Sequence, residues 1–118
     1  MKNRITLLKR NRGILRKISK TYQVVNFLTK EHCKNISVAI GKARRHKEIT
    51  KNIKSDRVYY ILKGRLVVKS GNKKFIINKR DIIFIPKNTN YQFQGTFEAV
   101  LINSPAFNPK NERINKIK

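Results

Sequence analysis

The sequence predicts an all-β domain, built as an antiparallel sandwich or a small barrel. Several segments alternate apolar and polar residues with a period of two, most clearly NISVAIGK at 35–42. Turn-forming residues separate these segments at intervals of about 8–12 residues. The 118 residues suffice for one domain, and no convincing helical pattern lies between the segments.

The individual strands follow from local composition. Segment 22–28 combines β-branched and aromatic residues, RVYYIL at 57–62 is strongly β-prone, and Ser70-Gly71-Asn72 is a hairpin turn. Pro86 ends a strand because proline cannot donate to a ladder. The charged stretch 43–55 is predicted to be mainly loop. The predicted strands are 22–28, 35–42, 57–62, 65–69, 73–78, 81–85, 90–94 and 97–103.

The two ends of the chain are basic. Residues 1–20 contain no acidic residue and are predicted to form a basic N-terminal arm. Such an arm either contacts phosphates or an anionic membrane surface, or forms an edge strand and short helix that cover the domain, and we favour the second interpretation. Residues 110–118 are predicted to be a loose basic tail, which leaves 21–109 as the domain.

The charge balance leaves two interpretations open. Lys and Arg number 29 against 6 Asp and Glu, a formal net charge of +23. Such a field attracts nucleic acid and other polyanions. The abundance of Lys, Asn and Ile is also what compositional drift in an AT-rich genome produces. If a polyanion is a partner, the residues predicted to bind it are Arg10, Arg12, Arg16, Arg44, Arg45 and Lys47.

The chain is predicted to be cytoplasmic. Its single cysteine, Cys33, cannot form an intrachain disulfide, which suits a reducing compartment. No apolar run approaches the roughly 18–20 residues that span a bilayer, and the N-terminal residues lack the apolar region of a signal peptide.

Two stretches together resemble the signature motifs of the cupin superfamily. They are SDRVYYILKGRLVV, which begins at Ser55, and KRDIIFIPKNTNYQFQ at 79–94. NSPAFNP at 103–109 is similar to the end of many small single-domain cupins. The resemblance implies an antiparallel double-stranded β-helix, the jelly-roll or cupin barrel, over residues 21–109. It also implies pairing of two chains as a homodimer.

The same resemblance implies that the usual metal site is lost. With Gly64 and Pro86 aligned to the motifs, the positions of the metal ligands fall on Thr50, Asn52, Arg57 and Tyr91, or on Lys51 and Ile53 for the first two with a shorter spacer. Two motif glycines fall on Arg80 and Asn88. A divalent transition metal needs imidazoles and carboxylates, and a fixed arginine repels it. We therefore expect no metal and no cofactor.

Strand alternation suggests what replaces the metal. Arg57 and Tyr59 share one face, and Tyr91 and Phe93 share one face. We hypothesise that Arg57, Tyr59, Tyr91 and Phe93 line a ligand-binding pocket, where the guanidinium holds a carboxylate or phosphate. The alternative is that Arg57 pairs with Glu98 or extends to the barrel mouth, while the aromatic rings fill the core.

The sequence is compatible with three different functions. The first is a metal-free cupin that binds a small anionic or sugar-like ligand without catalysis. The second is a sugar or sugar-phosphate isomerase or epimerase that uses Tyr59 or Tyr91 with His46, although His46 is expected to be exposed in a charged loop with Glu48 nearby. The third is a polyanion or nucleic-acid binder on a cupin scaffold.

Overall fold

The structure is a computed structural model that describes residues 4–115. Within them the chain is all-β, and the regular helical pieces are two 3₁₀ turns, Arg10–Arg12 and Pro109–Asn111. No helix of this described range is long and apolar enough to cross a membrane. The strands are β1 (Ile14–Ser19), β2 (Tyr22–Leu28), β3 (Ser37–Asn52), β4 (Asp56–Ser70), β5 (Lys73–Ile77), β6 (Ile82–Ile85), β7 (Tyr91–Ser104) and β8 (Glu112–Asn115).

Three long strands form the centre of one antiparallel sheet. The strand order is β1-β2-β3-β7-β4-β5, with β6 also beside β4 and β8 also beside β3. The pairing with β7 shifts its register in the middle of β3, next to Gly95, and in the middle of β4, opposite Glu98 and Ala99. Gly95 has φ 134°, and a Cβ there would lie 2.4 Å from the carbonyl oxygen of Arg65. Only glycine fits this conformation, which lets the sheet bend over itself.

The bent sheet encloses one hydrophobic core. Buried side chains from every strand between β2 and β7 belong to a single cluster. Phe93, 2% exposed, lies at its centre. The rings whose centroids lie between 5.3 and 6.3 Å from that of Phe93 are those of Tyr22, His46, Tyr59, Tyr91 and Phe97. The predicted all-β antiparallel barrel is therefore confirmed.

The prediction of strand boundaries was wrong in two respects. Segment 43–55 is not a loop over most of its length, because β3 continues to Asn52. The segments predicted as separate strands, 57–62 with 65–69 and 90–94 with 97–103, are continuous in β4 and β7. Gly64, with φ 77°, sits at an irregularity within a strand rather than at a turn between strands. A glycine inside a strand pattern can mark a bulge as well as a turn.

Both basic ends contribute to the sheet. The second half of the predicted arm is β1, which pairs with β2 as an edge strand. The tail is not loose up to residue 115, since β8 pairs with the second half of β3. Residues 1–3 of the arm and 116–118 of the tail lie outside the described residues.

The two lost motif glycines keep a glycine-like backbone. Arg80 has φ 74° and Asn88 has φ 64°. Both residues therefore occupy the left-handed region, which asparagine tolerates better than arginine does. The turns before β6 and before β7 thus form without the glycines.

Candidate functional site

Arg57 is the central charged group of the barrel interior. It lies on β4 and is 7% exposed. Its Nε donates to Oδ1 of Asn103 at 2.7 Å, and its Nη1 donates to the hydroxyl of Tyr91 at 2.9 Å. Burial acts to lower the pKa of Arg57, but the neighbouring phenols and Glu112 outweigh it and raise the pKa, so the guanidinium stays charged.

The partner of Arg57 is Glu112 and not Glu98. The Glu112 carboxylate accepts from Nη2 of Arg57 at 2.8 Å and from Nη1 at 3.0 Å, a bidentate ion pair. Glu98, the alternative partner considered for Arg57, lies on β7, where its Oε1 is 3.8 Å from Nζ of Lys42. Burial acts to raise the pKa of the Glu112 carboxyl, but hydrogen bonds from Arg57, Thr50 and Asn52 and the charge of Arg57 hold it below its usual value.

Two phenols extend the network away from Arg57. The hydroxyls of Tyr59 and Tyr91 lie 2.6 Å apart, and both side chains are almost fully buried. Burial raises the pKa of both tyrosines, so both phenols are protonated at neutral pH. The hydrogen bond between the two hydroxyls uses only one of their two hydrogens, so when Tyr91 donates to Tyr59, the hydrogen of Tyr59 is free. Tyr59, which lines the cavity, can donate it to a ligand.

A second polar pair, His46 and Glu48, lies on the inner face of β3. His46 is 6% exposed and Glu48 is 5% exposed, so the expectation of an exposed His46 in a loop was wrong. His46 Nε2 lies 2.8 Å from Oε1 of Glu48, and Nδ1 lies 2.8 Å from the hydroxyl of Thr21. The His46 ring stacks on Tyr22 with centroids 4.9 Å apart. The two partners hold both ring nitrogens in place.

A cavity of about 60 Å³ lies between these groups. Charged and hydrogen-bonding side chains line part of it: Arg16, Asn26, Ser37, Glu48, Arg57, Tyr59, Asn103 and Glu112. Apolar side chains line the rest, among them Val24, Ala39, Leu101 and Phe107. Of the four residues predicted to bind a ligand, Arg57, Tyr59 and Phe93 border this cavity, whereas Tyr91 reaches it through its contacts with Arg57 and Tyr59.

The residues at the expected metal-ligand positions do not fit a divalent cation. Thr50, Asn52 and Arg57 all donate hydrogen bonds toward one point, whereas a cation needs acceptors there. Arg57 also carries a permanent positive charge. Among residues 4–115, no three His, Cys, Asp or Glu side chains are grouped so that they could hold a metal ion.

The predicted polyanion-binding residues are mostly on the surface. Arg16 differs, because it is half-buried, lines the cavity, and has its guanidinium carbon 5.0 Å from the centroid of the Phe107 ring. Nucleic-acid binding and the homodimer both stay predictions. The exposed residues of the set are Arg10, Arg12, Arg44, Arg45 and Lys47.

The antiparallel barrel, with one motif stretch on β4 and the other on β6 and the start of β7, both of which pair with β4, defines the protein as a cupin. The chain belongs to the EutQ family, since residues 16–106 match the family model of "Ethanolamine utilisation protein EutQ". A relative from Methanocaldococcus jannaschii, "Uncharacterized protein MJ1618", is 37% identical over 59 residues, which are 49% of this chain and 44% of the relative. This chain thus matches less than half of that protein's length.

Solved structures confirm the fold. A Streptomyces Pac13 variant in complex with uridine superimposes with a TM-score of 0.83 at 22% identity, covering 97% of this chain and 93% of Pac13. Pac13 is described as a nucleoside dehydratase. The EutQ protein of Clostridium difficile gives a TM-score of 0.67 at 18% identity, covering 72% of this chain and 63% of that protein. At these identities the likeness establishes the fold alone.

The sequence reasoning missed the residues that complete the site. Glu112 falls in the segment predicted to be a loose tail. The available signal was that it is the one acidic residue in the basic segment 110–118. Asn103 was placed on a strand without a role. The inward positions of His46 and Glu48 follow by alternation from Thr50, once the motif places Thr50 on a strand facing the interior.

Proposed function

We propose that this protein is a metal-free cupin that binds a small sugar-containing ligand, such as a nucleoside, in the barrel cavity. The observation that carries the proposal is the composition of the cavity wall. Charged and hydroxyl groups cover one part, and apolar side chains with the Phe107 ring cover another. A sugar needs both, because its hydroxyls pair with polar groups while its C–H faces lie against apolar or aromatic surface.

The volume sets a condition on binding. The cavity measures about 60 Å³, whereas pockets that bind small molecules commonly measure about 300 Å³ or more. A nucleoside therefore requires that groups at the cavity rim move. Glu112 and Ile114, both on β8, the last described strand, line the cavity.

The comparison with Pac13 supports the choice of probe. Three Pac13 structures hold uridine in chains that carry one substitution, a tyrosine to phenylalanine in two of them and a histidine to glutamine in the third. The cavity of this chain is bordered by Tyr59, and Tyr91 and His46 contact its lining residues. Uridine is accordingly the first ligand to test.

Calorimetric titration with uridine tests the proposal. The variant Tyr59→Phe removes the hydroxyl of a residue that lines the cavity and is expected to weaken binding about fivefold to tenfold, the effect of one hydrogen bond. Tyr60→Phe is the matched control, because Tyr60 is the neighbour on the same strand and points to the other face of the sheet. Equal affinities of the two variants, or no binding of uridine or ribose by the unmodified protein, would refute the proposal.

The buried pair of His46 and Glu48 favours a second candidate, an isomerase or epimerase. Glu48 lines the cavity and can accept a proton from a carbon next to a sugar carbonyl. To act as a base, Glu48 must be a carboxylate, and His46 Nε2, 2.8 Å from its Oε1, can stabilise that negative charge. The protonated Tyr59 can donate to the carbonyl oxygen of the sugar. Returning the proton to the same carbon or to its neighbour completes the reaction, so no oxidant is needed.

Exchange of hydrogen for deuterium tests this second candidate. Ribose 5-phosphate in D₂O is expected to acquire deuterium next to its carbonyl in the presence of the protein, as NMR would detect. Glu48→Gln is expected to abolish the exchange, whereas Glu98→Gln, on the outer part of β7, is not. Binding of a sugar without any exchange would leave the first candidate and dismiss the enzyme.

A further inference from the structure

The positions where cupin motifs place metal ligands converge here on a carboxylate. Glu112 accepts from the Thr50 hydroxyl at 2.5 Å and from Nδ2 of Asn52 at 2.8 Å. Arg57 completes the set with its two contacts to the same carboxylate, at 2.8 and 3.0 Å. Side chains that would hold a cation elsewhere are replaced by donors that hold an anion. The polarity of the site is therefore reversed.

The donors are positioned without help from Glu112. Asn103 and Tyr91, both on β7, fix the Arg57 guanidinium through Nε and Nη1. Thr50 and Asn52 are 1% and 4% exposed. Thr50 pairs with β7 as well as with β8, and the side-chain oxygen of Asn52 accepts from the backbone N–H groups of Lys54 and Ser55 at 3.0 and 2.6 Å. The site is thus a preformed arrangement on the barrel, and a different oxyanion can use the same hydrogen bonds.

Glu112 lies on a segment that can leave without opening the core. The strand β8 pairs with β3 over Glu112–Asn115, and Arg113 and Ile114 are exposed. The core cluster of the described residues includes no member of β8. The 3₁₀ turn Pro109–Asn111 precedes the strand and contains no buried residue.

We propose that Thr50, Asn52 and Arg57 form an anion subsite that Glu112 occupies in the ligand-free protein, and that a carboxylate or phosphate group of the ligand displaces Glu112 together with β8. The inference rests on the proposed function, because it places the anionic group of a sugar-type ligand beside Arg57 and its sugar beside Tyr59 and Glu48. Departure of Glu112 and Ile114 also removes two of the residues that line the small cavity.

The variant Glu112→Gln tests the competition. Glutamine keeps the size of the side chain but has no charge with which to compete for Arg57. Titration with inorganic phosphate and, separately, acetate, followed by the NMR signals of the Asn52 and Asn103 side-chain amides, is expected to show at least tenfold tighter binding than in the unmodified protein. The better of the two anions identifies the ligand group.

A matched control separates the subsite from the general positive field. Glu98→Gln removes the same charge from β7, where Glu98 lies 3.8 Å from Lys42. It is expected to change phosphate affinity by less than twofold. Equal gains in the two variants, or no gain in either, would overturn the inference.

Hydrogen exchange on the unmodified protein provides a test that does not depend on folding of the variant. Saturating phosphate or acetate is expected to accelerate exchange of the β8 backbone amides at least tenfold, while the amides of β7 stay protected. Unchanged protection of β8 under either anion would contradict displacement.

Uridine, which is neutral, keeps the two proposals apart. An anion response without uridine or ribose binding refutes the sugar-binding proposal alone. Uridine binding without any effect of Glu112→Gln on the anions refutes the subsite alone.

Discussion

Replacing Glu112 with glutamine is expected to destabilise the fold by about 3 kcal/mol, because it leaves a buried guanidinium without its counter-ion. The side chains of Arg57 and Glu112 are only 9% and 10% exposed. Opposite charges about 3 Å apart attract by about 5–6 kcal/mol at an effective dielectric of about 20. Desolvation offsets part of this attraction, and measured losses for removing one partner of a buried pair run from about 3 to 5 kcal/mol. We take the lower value because β8 is short, so its local unfolding can expose the unpaired guanidinium to water and reduce the loss.

Urea denaturation measures the loss in the free energy of unfolding directly. Thermal denaturation gives a second measurement, because a loss of about 3 kcal/mol lowers the melting temperature by about 10 °C for a domain of this size. Glu98→Gln is the control, with an expected loss below about 0.5 kcal/mol, since Glu98 is 23% exposed and its nearest cation is 3.8 Å away. If the free energies of unfolding of the two variants differ by less than about 0.5 kcal/mol, the ion pair between Arg57 and Glu112 does not stabilise the fold.

Two further predictions concern pH and the backbone. Folding lowers the pKa of Glu112 from its ordinary value of 4.5, so the ionised carboxylate stabilises the fold fully above that pH, and this stabilisation is lost as pH falls through the folded pKa. Between about pH 6 and pH 3, the free energy of unfolding should therefore fall more steeply in the unmodified protein than in Glu112→Gln. Parallel curves for the two proteins would contradict this. Arg80→Gly should raise stability by about 0.5–1 kcal/mol, because φ at Arg80 is 74° and glycine relieves that strain. Lys79→Gly, outside the left-handed region, should lower stability instead, and a loss in both variants would refute the argument.

The fold could be predicted because alternation and turn residues are local signals. Segment 35–42 forms a strand with the predicted period of two, but its fully buried face carries the small side chains of Ser37 and Ala39, while Val38 and Ile40 are half-buried on the other face. The second half of β3 was missed for a physical reason. It turns His46, Glu48, Thr50 and Asn52 inward and exposes lysines, so its alternation is intact but its polarity does not follow the usual pattern of apolar residues inside.

The candidate site could be predicted only in part, because its members come from distant segments. Alignment to the two motifs was enough to bring Arg57 and Tyr91 to one point, and their side chains lie 2.9 Å apart. Glu112 is 55 positions from Arg57 and belongs to no recognised motif. Its role depends on how β8 folds back onto β3, which local composition does not encode.

A crystal structure of the protein grown with saturating uridine would test the central claim most directly. We expect the ribose in the barrel cavity, within hydrogen-bond distance of Tyr59 and Glu48, with the Arg57 guanidinium still held by Asn103 and Tyr91. Uridine bound only on the outer surface, or a transition-metal ion coordinated between Thr50 and Asn52, would contradict it.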